Sequence, residues 1–242
     1  MARDTYAGNP LLKGAYTPVE YDKETLEDYI RCSKDPIYFA KTYMKIVHVD
    51  HGLMPFDLYD YQEEMVDTFH NNRFVICKMP RQTGKSTTIC AYLLHFALFN
   101  EQSNIAILAN KGSTSREILQ RLKTAYEHLP KWLQQGVVVW NRGNIELENG
   151  SKIISASTSS SAVRGSSFNI IFMDEFAHID PPSLAEDFFT SVYPTISSGS
   201  TTKVFIVSTP KGLNMFYKMW VDAEEKRSNY IPIEVHWTQT PG

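Results

Sequence analysis

The chain has 242 residues, with 24 Lys plus Arg against 27 Asp plus Glu, 43% apolar and 12% aromatic residues, 12 Gly and 12 Pro. That composition excludes a disordered chain, a coiled coil, a collagen-like fibre and a disulfide scaffold, and the length is ample for a sizeable core. The formal charge of -3 argues against a surface that is basic throughout, so any action on nucleic acid must run through a local patch or another part of a larger assembly.

Residues 1–20 are mixed in character and read as a surface arm. From about Lys23 the pattern is helical, with Leu26, Tyr29 and Ile30 on one face, and Asp35-Pro36 punctuates before an aromatic run that ends near Ile46. His48 and His51 are the close histidine pair of the chain, and with no third ligand near them in sequence they read as structural. A second helix is expected from Tyr59 to about His70, because Tyr61, Met65, Val66 and Phe69 recur on one face. The period then changes: Phe74 to Met79 is a short β-favouring run, followed by Pro80-Arg81-Gln82-Thr83-Gly84-Lys85-Ser86 and a long helical pattern.

Strand then helix recurs. Residues 104–110 read as a strand, followed by a helix capped by Ser113 or Ser115 and running to about His128. After Pro130 come short β runs at 137–140, 144–150 and 151–157, with Asn149-Gly150 as a hairpin signal. The Ser-rich stretch 155–167 reads as a loop inside the domain, before strands at 169–175 and 202–210, a helix from about Leu213 to Lys226 and a last strand near 230–235. Apolar strands interleaved with helices predict an α/β fold with a mostly parallel central sheet covered on both faces. The three cysteines, Cys32, Cys77 and Cys90, form no CxxC pair and read as reduced core thiols. With no apolar leader or membrane-length run, a soluble, intracellular protein is expected.

The chemistry concentrates at three strand ends. Residues 79–86 match the phosphate-binding loop G-x-x-x-x-G-K-[ST] at its last three positions, with Met79 where the first glycine belongs. A strand feeding a tight turn and a helix N-terminus would let the loop from Pro80 to Thr87 cradle phosphates with the backbone N–H groups that follow the proline, with Lys85 on the β/γ oxygens and Ser86 on Mg²⁺. Arg81 inside this loop is placed to act as an arginine finger or sensor. Downstream, four apolar residues run into Asp174 and Glu175, the way a buried strand delivers carboxylates to a sheet edge. Asp174 would hold Mg²⁺ through a water and Glu175 would polarise the attacking water. Along the chain, the strand at 104–110 is read as lying between this acid strand and the phosphate loop. Ser208 and Thr209 end a third apolar strand, near the γ-phosphate or simply as a helix cap. Tyr61 and Gln62 suit adenine recognition or, equally, core and surface positions. Arg164, in the Ser-rich loop, could face DNA, a neighbouring subunit or internal carboxylates.

Taken together and in this order, Tyr61-Gln62, the loop 80–86, Arg164-Gly165, the strand into Asp174-Glu175-Phe176 and the segment 207–217 resemble the ATPase domain of the large terminase subunit of tailed bacteriophages, T4-like most of all. The resemblance covers about residues 30–236. It implies a P-loop NTPase of the ASCE/RecA-like kind with a small N-terminal helical or irregular subdomain at 1–58, an ATPase core at 59–236, and the start of a linker to a nuclease domain at 237–242. It further implies ATP and Mg²⁺ as ligands, with Lys85, Ser86 and Arg81 on the phosphates and metal, and Asp174 and Glu175 as metal and catalytic carboxylates. Ser208 and Thr209 would match the coupling motif, and Tyr61 and Gln62 the adenine motif. Double-stranded DNA, the portal and procapsid, and the small terminase subunit would be partners of a ring working in the host cytoplasm. No nuclease activity is expected of this segment. A helicase-like or repair ATPase, or a module that binds nucleotide without hydrolysis, are the competing readings.

Overall fold

The computed structural model describes residues 4–48, 50–158, 166–197 and 199–240. Among these, helices α1 (Lys23–Lys34), α2 (Pro36–Tyr43), α3 (Asp60–Asn71), α4 (Lys85–Phe99), α5 (Gly112–Glu127), α6 (Ser183–Ser197) and α7 (Met215–Glu224) surround two sheets. Strands β1 (Lys45–His48) and β2 (Gly52–Pro55) form a small antiparallel ribbon. The main sheet holds β3 (Phe74–Lys78), β4 (Asn104–Ala109), β5 (Val137–Trp140), β6 (Asn144–Leu147), β7 (Lys152–Ser157), β8 (Ile170–Asp174), β9 (Lys203–Ser208) and β10 (Ile231–Glu234). Their order is β10-β3-β9-β8-β4-β7-β6-β5. From β10 to β7 every pairing is parallel, and β6 and β5 add antiparallel.

Alternation of side chains builds two apolar layers from the same strands. Val75 and Cys77, Ile105 and Ile107, Ile170 and Phe172, and Phe205 and Val207 face the layer that holds α1 to α5. Ile76, Ala106, Leu108, Ile171, Met173, Val204 and Ile206 face the opposite layer, against Phe188 of α6 and Phe216 and Trp220 of α7. Helix α4 is buried on nearly every side, as an apolar-all-round helix must be. It sits against α2, α3 and α5. Residues of the first 58, Leu12, Cys32, Phe39, Ala40, Met44 and Phe56 among them, belong to this same layer rather than to a core of their own.

Several expectations change. The N-terminal arm is not loose on the surface: Leu12 is fully buried, Thr5 bridges Lys13, and Gly14 bridges Val137 at the sheet edge. Gln134 and Glu148, far away in sequence, supply the polar partners that hold it there. In space the strand between β3 and β8 is β9, and β4 lies on the far side of β8. Helix α5 begins after Lys111 rather than on a serine cap, because Ser115 turns its hydroxyl back to the Gly112 carbonyl at 3.1 Å. Helix α7 is shorter than expected and capped by Asn214, whose side chain accepts from the Tyr217 amide. Helix α6 has no counterpart in the sequence reading, since Pro194 interrupts its pattern. His48 and His51 flank the turn of the β1–β2 ribbon with their rings stacked 4.9 Å apart. The Asn149-Gly150 turn joins β6 to β7 in the predicted hairpin. All three cysteines are free and buried, and burial pushes the Cys32 and Cys90 thiols up to about 12.

Candidate active site at the C-terminal edge of the sheet

Parallel strands deliver their C-terminal ends to one edge, and β3, β8 and β9 are immediate neighbours there. The loop leaving β3 starts as an extension of the ladder: the Met79 amide donates to the Ser208 carbonyl at 3.1 Å, and the Met79 side chain is core. A glycine at this position is therefore replaced by a residue that anchors the loop to β9. Gln82 and Gly84 both adopt positive φ, 63° and 69°. A Cβ at Gly84 would also sit 2.6 Å from Gln62 Nε2, so the Gln62 amide would have to swing away from the loop. Gly84 precedes α4, whose Lys85 and Ser86 amides have no carbonyl acceptor among the described residues, while the Thr87 amide turns back to the Gly84 carbonyl at 2.9 Å; such free amides at a helix start suit an anion. Thr83 is buried, with its hydroxyl donating to the Pro80 carbonyl at 3.2 Å. Arg81 stands exposed on the rim of the loop, and Ser86 and Thr87 are half-buried in the first turn of α4.

Tyr61 and Gln62 meet this loop from behind. The Tyr61 hydroxyl donates to the Thr83 carbonyl at 2.9 Å, and Gln62 Nε2 reaches the same oxygen at 3.4 Å. Gln62 Oε1 accepts from the Tyr59 amide at 3.0 Å. Both side chains are buried, so the contacts they make fix the loop that follows β3 onto α3. Tyr59, stacked on Tyr61 with ring centroids 5.7 Å apart, is the exposed aromatic of this group.

Asp174 ends β8 on the face shared with Ile170 and Phe172. Its Oδ1 is buried with no hydrogen-bond partner among the described residues. Burial, and then the neighbouring Glu175 charge, push the Asp174 carboxyl up to about 6 against the opposing pull of Lys85, the Glu175 amide and Arg121. Glu175 occupies left-handed backbone at φ 49°, a conformation that costs energy for a non-glycine residue and re-aims the side chain. Glu175 Oε1 takes a 2.6 Å bond from Lys85 Nζ. Glu175 Oε2 accepts from the Thr209 amide at 3.1 Å and the Thr209 hydroxyl at 2.9 Å, with the Ser208 hydroxyl at 3.5 Å. Burial raises the Glu175 carboxyl, but the Lys85 ammonium and the two Thr209 donors outweigh it and leave Glu175 below the usual range.

Thus Lys85, Glu175, Ser208 and Thr209, chosen from sequence, form one connected group. Arg164 lies outside the described residues. Two further residues belong to the group: His178, to which no motif points, and Asn214, which falls inside the segment 207–217 without a role assigned to it. His178 Nε2 lies 2.8 Å from Thr209 Oγ1, and Asn214 Nδ2 donates to the Ala177 carbonyl at 2.9 Å. The signal for His178 is its proximity in sequence to Glu175, and for Asn214 its place in the segment that follows Thr209.

The site suits a nucleotide phosphate: a glycine in left-handed backbone, the amides of Lys85 and Ser86 with no carbonyl acceptor among the described residues, and a buried lysine follow one another at the start of α4. It also suits a divalent cation held in part by the protein. Among the described residues no three His, Cys, Asp or Glu gather as a cage, whereas the unpartnered Asp174 Oδ1 supplies the single carboxylate that Mg²⁺ takes when phosphates and water complete its shell. Among the described residues, no helix is long and apolar enough to cross a membrane.

Comparison with known proteins places the fold. The chain resembles the large terminase of bacteriophage HK97, with a TM-score of 0.69 at 16% identity over 84% of this chain and 43% of that one. It resembles the large terminase ATPase domain of Thermus phage P74-26, with a TM-score of 0.61 at 19% identity over 76% of this chain and 83% of that one. The large terminase of a thermophilic bacteriophage, in complex with ADP, matches with a TM-score of 0.59 at 15% identity, over 76% of this chain and 46% of that one. The chain therefore spans less than half the length of the HK97 chain and of the ADP-bound chain, and at these identities the likeness is one of fold. Residues 76–240 match the family described as terminase large subunit, T4likevirus-type, N-terminal. By that match, the chain belongs to the terminase large subunit family in its N-terminal part.

Proposed function

We propose that this chain hydrolyses ATP with Mg²⁺ and, as the ATPase core of a large terminase at residues 59–236, drives double-stranded DNA into a procapsid. In that setting its partners are the portal, the small terminase subunit and further copies in a ring, in the host cytoplasm. The observation that carries the reading is the 2.6 Å contact between Lys85 Nζ and Glu175 Oε1. It joins the lysine a phosphate would need to the carboxylate a water would need, at the C-terminal edge of one sheet.

Each residue then has a defined task. The loop from Pro80 to Thr87 binds the phosphates through its amides, and Lys85 moves its ammonium from Glu175 to the phosphate oxygens. Losing that cation makes Glu175 more basic and frees Oε1, while Oε2 stays on Thr209. Glu175 accepts a proton from water as the water oxygen bonds to the γ-phosphorus and the bond to the β–γ bridging oxygen breaks. Mg²⁺, when bound by Ser86 and Asp174, supplies charge neutralisation of the phosphates. Arg81, exposed on the loop rim, is free to turn toward charge that develops on the transferring group.

Glu175→Gln tests the mechanism. Nucleotide binding, followed by fluorescent-nucleotide titration, is expected to persist while steady-state turnover falls by at least ~100-fold, the scale of losing a general base. Equal turnover in variant and parent would sink the proposal.

A further inference from the structure

We infer that His178 is a positioning residue for Glu175, acting through the Thr209 hydroxyl. The inference rests on the ATP-hydrolysing reading of the same site and adds a residue that the motifs did not single out. Proton bookkeeping fixes the direction of the bonds. A carboxylate only accepts, so Thr209 spends its one hydroxyl proton on Glu175 Oε2 at 2.9 Å. The same hydroxyl oxygen lies 2.8 Å from His178 Nε2, so that contact is an N–H of the imidazole donating to Thr209. His178 Nε2 is itself 3.5 Å from Glu175 Oε2, too far for a good direct bond. The result is a directed chain: His178 Nε2–H to Thr209 Oγ1, then Thr209 O–H to Glu175.

A threonine hydroxyl rotates to whichever acceptor is near. With the histidine N–H on one lone pair of Oγ1, the hydroxyl proton is directed to the carboxylate rather than elsewhere. The ring is held for this purpose by the short turn Phe176–His178 that follows Glu175. The Ala177 amide donates to the Ser208 hydroxyl at 3.0 Å, and the Ala177 carbonyl accepts from Asn214 at 2.9 Å. The segment that carries Thr209 therefore also places His178. Glu175 sits in left-handed backbone, where a side chain without lateral support would have several directions open to it; the histidine supplies that support from outside the ladder.

The test compares His178→Ala, His178→Gln, Thr209→Val and the His178→Ala/Thr209→Val double variant with the parent, all with ATP and Mg²⁺. Glutamine carries its amide N–H at about the position of Nε2 and can restore the bond. His178→Ala is expected to lower kcat by roughly 5- to 20-fold with KM within about 2-fold, the scale of one part-buried hydrogen bond that supports a donor to a charged group. His178→Gln should recover to within about 3-fold of the parent, and the double variant should be no slower than Thr209→Val alone. Parent-like turnover in His178→Ala, no rescue by Gln, or multiplicative losses in the double variant would each overturn the inference. If His178→Ala does not fold, His178→Asn, whose amide stops short of Thr209, takes its place with the same expectations. The ATPase reading fails separately: a parent without turnover, or an active Glu175→Gln, defeats that reading before His178 is considered.

Discussion

Two regions of the main sheet, the C-terminal edge of its central strands and its outer strands β5 and β6, treat buried polar groups in opposite ways. At the edge formed by β3, β9 and β8, Asp174 Oδ1 is left without a partner, and Gln82 and Glu175 sit in left-handed backbone. At the outer strands, where β5 and β6 meet the N-terminal arm, the polar groups are saturated. Gln134 Oε1 accepts from the Lys13 amide, and its Nε2 donates to the carbonyls of Leu11, Tyr126 and Leu129. Glu148 takes Lys13 Nζ at 3.0 Å, the Gly136 amide at 2.6 Å and the Tyr16 amide. A Cβ on Gly136 would lie 2.5 Å from the Gly14 carbonyl, so arm and strand are packed backbone to backbone. The unpartnered Asp174 Oδ1 marks where a ligand would belong, and the saturated groups around Gln134 and Glu148 mark where the chain is held together; left-handed backbone does not divide the two regions, since Ala7 and Tyr16 of the arm adopt it as well.

Glu148→Ala should give the largest stability effect in the saturated region. It leaves two amides and an ammonium without their acceptor, which predicts a loss of about 2–4 kcal/mol in urea denaturation. Turnover per folded molecule should not change, because no contact links Glu148 to the catalytic edge among the described residues. A variant as stable as the parent, or one that folds normally but turns over slowly, would break the contrast between the two regions.

Next in size is a pH effect in the layer of helices. His95, on α4, donates from Nε2 to the Cys32 carbonyl at 2.8 Å near the end of α1. That carbonyl is among those a helix leaves over at its C-terminus. Burial holds the His95 imidazole down to about 4, against roughly 6.5 for the exposed group. Between those values the unfolded chain binds a proton that the folded chain refuses. Stability present above about pH 6.5 is thus lost as pH falls toward 4, by roughly 2–3 kcal/mol. Melting curves from pH 7.5 to 4.5 should show this slope in the parent and a flatter one in His95→Phe. Identical slopes would mean that the imidazole is not held neutral by its burial.

What can be read in the sequence follows from how local the cause is. The β3–loop–α4 unit, the apolar run into Asp174-Glu175 and the Asn149-Gly150 hairpin are written in consecutive residues, and each forms at its expected place. The order of strands is not local: β9 slips between β3 and β8 although it follows both in the chain. The arm reads as a surface segment because the residues that bury it, Gln134 and Glu148, lie more than a hundred positions away. Helix α6 is hidden by its own Pro194. In the site, motif residues are legible by type, but His178 is not, since only the fold brings its ring to Thr209.

Tyr61 offers the smallest effect and the sharpest discrimination, because two chemistries at one residue predict different outcomes for the same substitution. A ring that packs on adenine keeps its function as phenylalanine, whereas a hydroxyl that braces the Thr83 carbonyl does not. Tyr61 is buried and its hydroxyl is committed to the loop, so Tyr61→Phe should cost about 0.5–1.5 kcal/mol of stability, the net worth of one hydrogen bond. Loosening the loop should also weaken binding of ATP and GTP by the same few-fold factor, since in the proposed function the loop holds phosphates common to both. Titration of the two nucleotides against parent and variant measures that factor for each base. Equal losses for ATP and GTP make Tyr61 part of the phosphate loop's scaffold. A loss confined to ATP would return it to the base and place the catalytic edge under a tighter adenine constraint than its buried hydroxyl indicates.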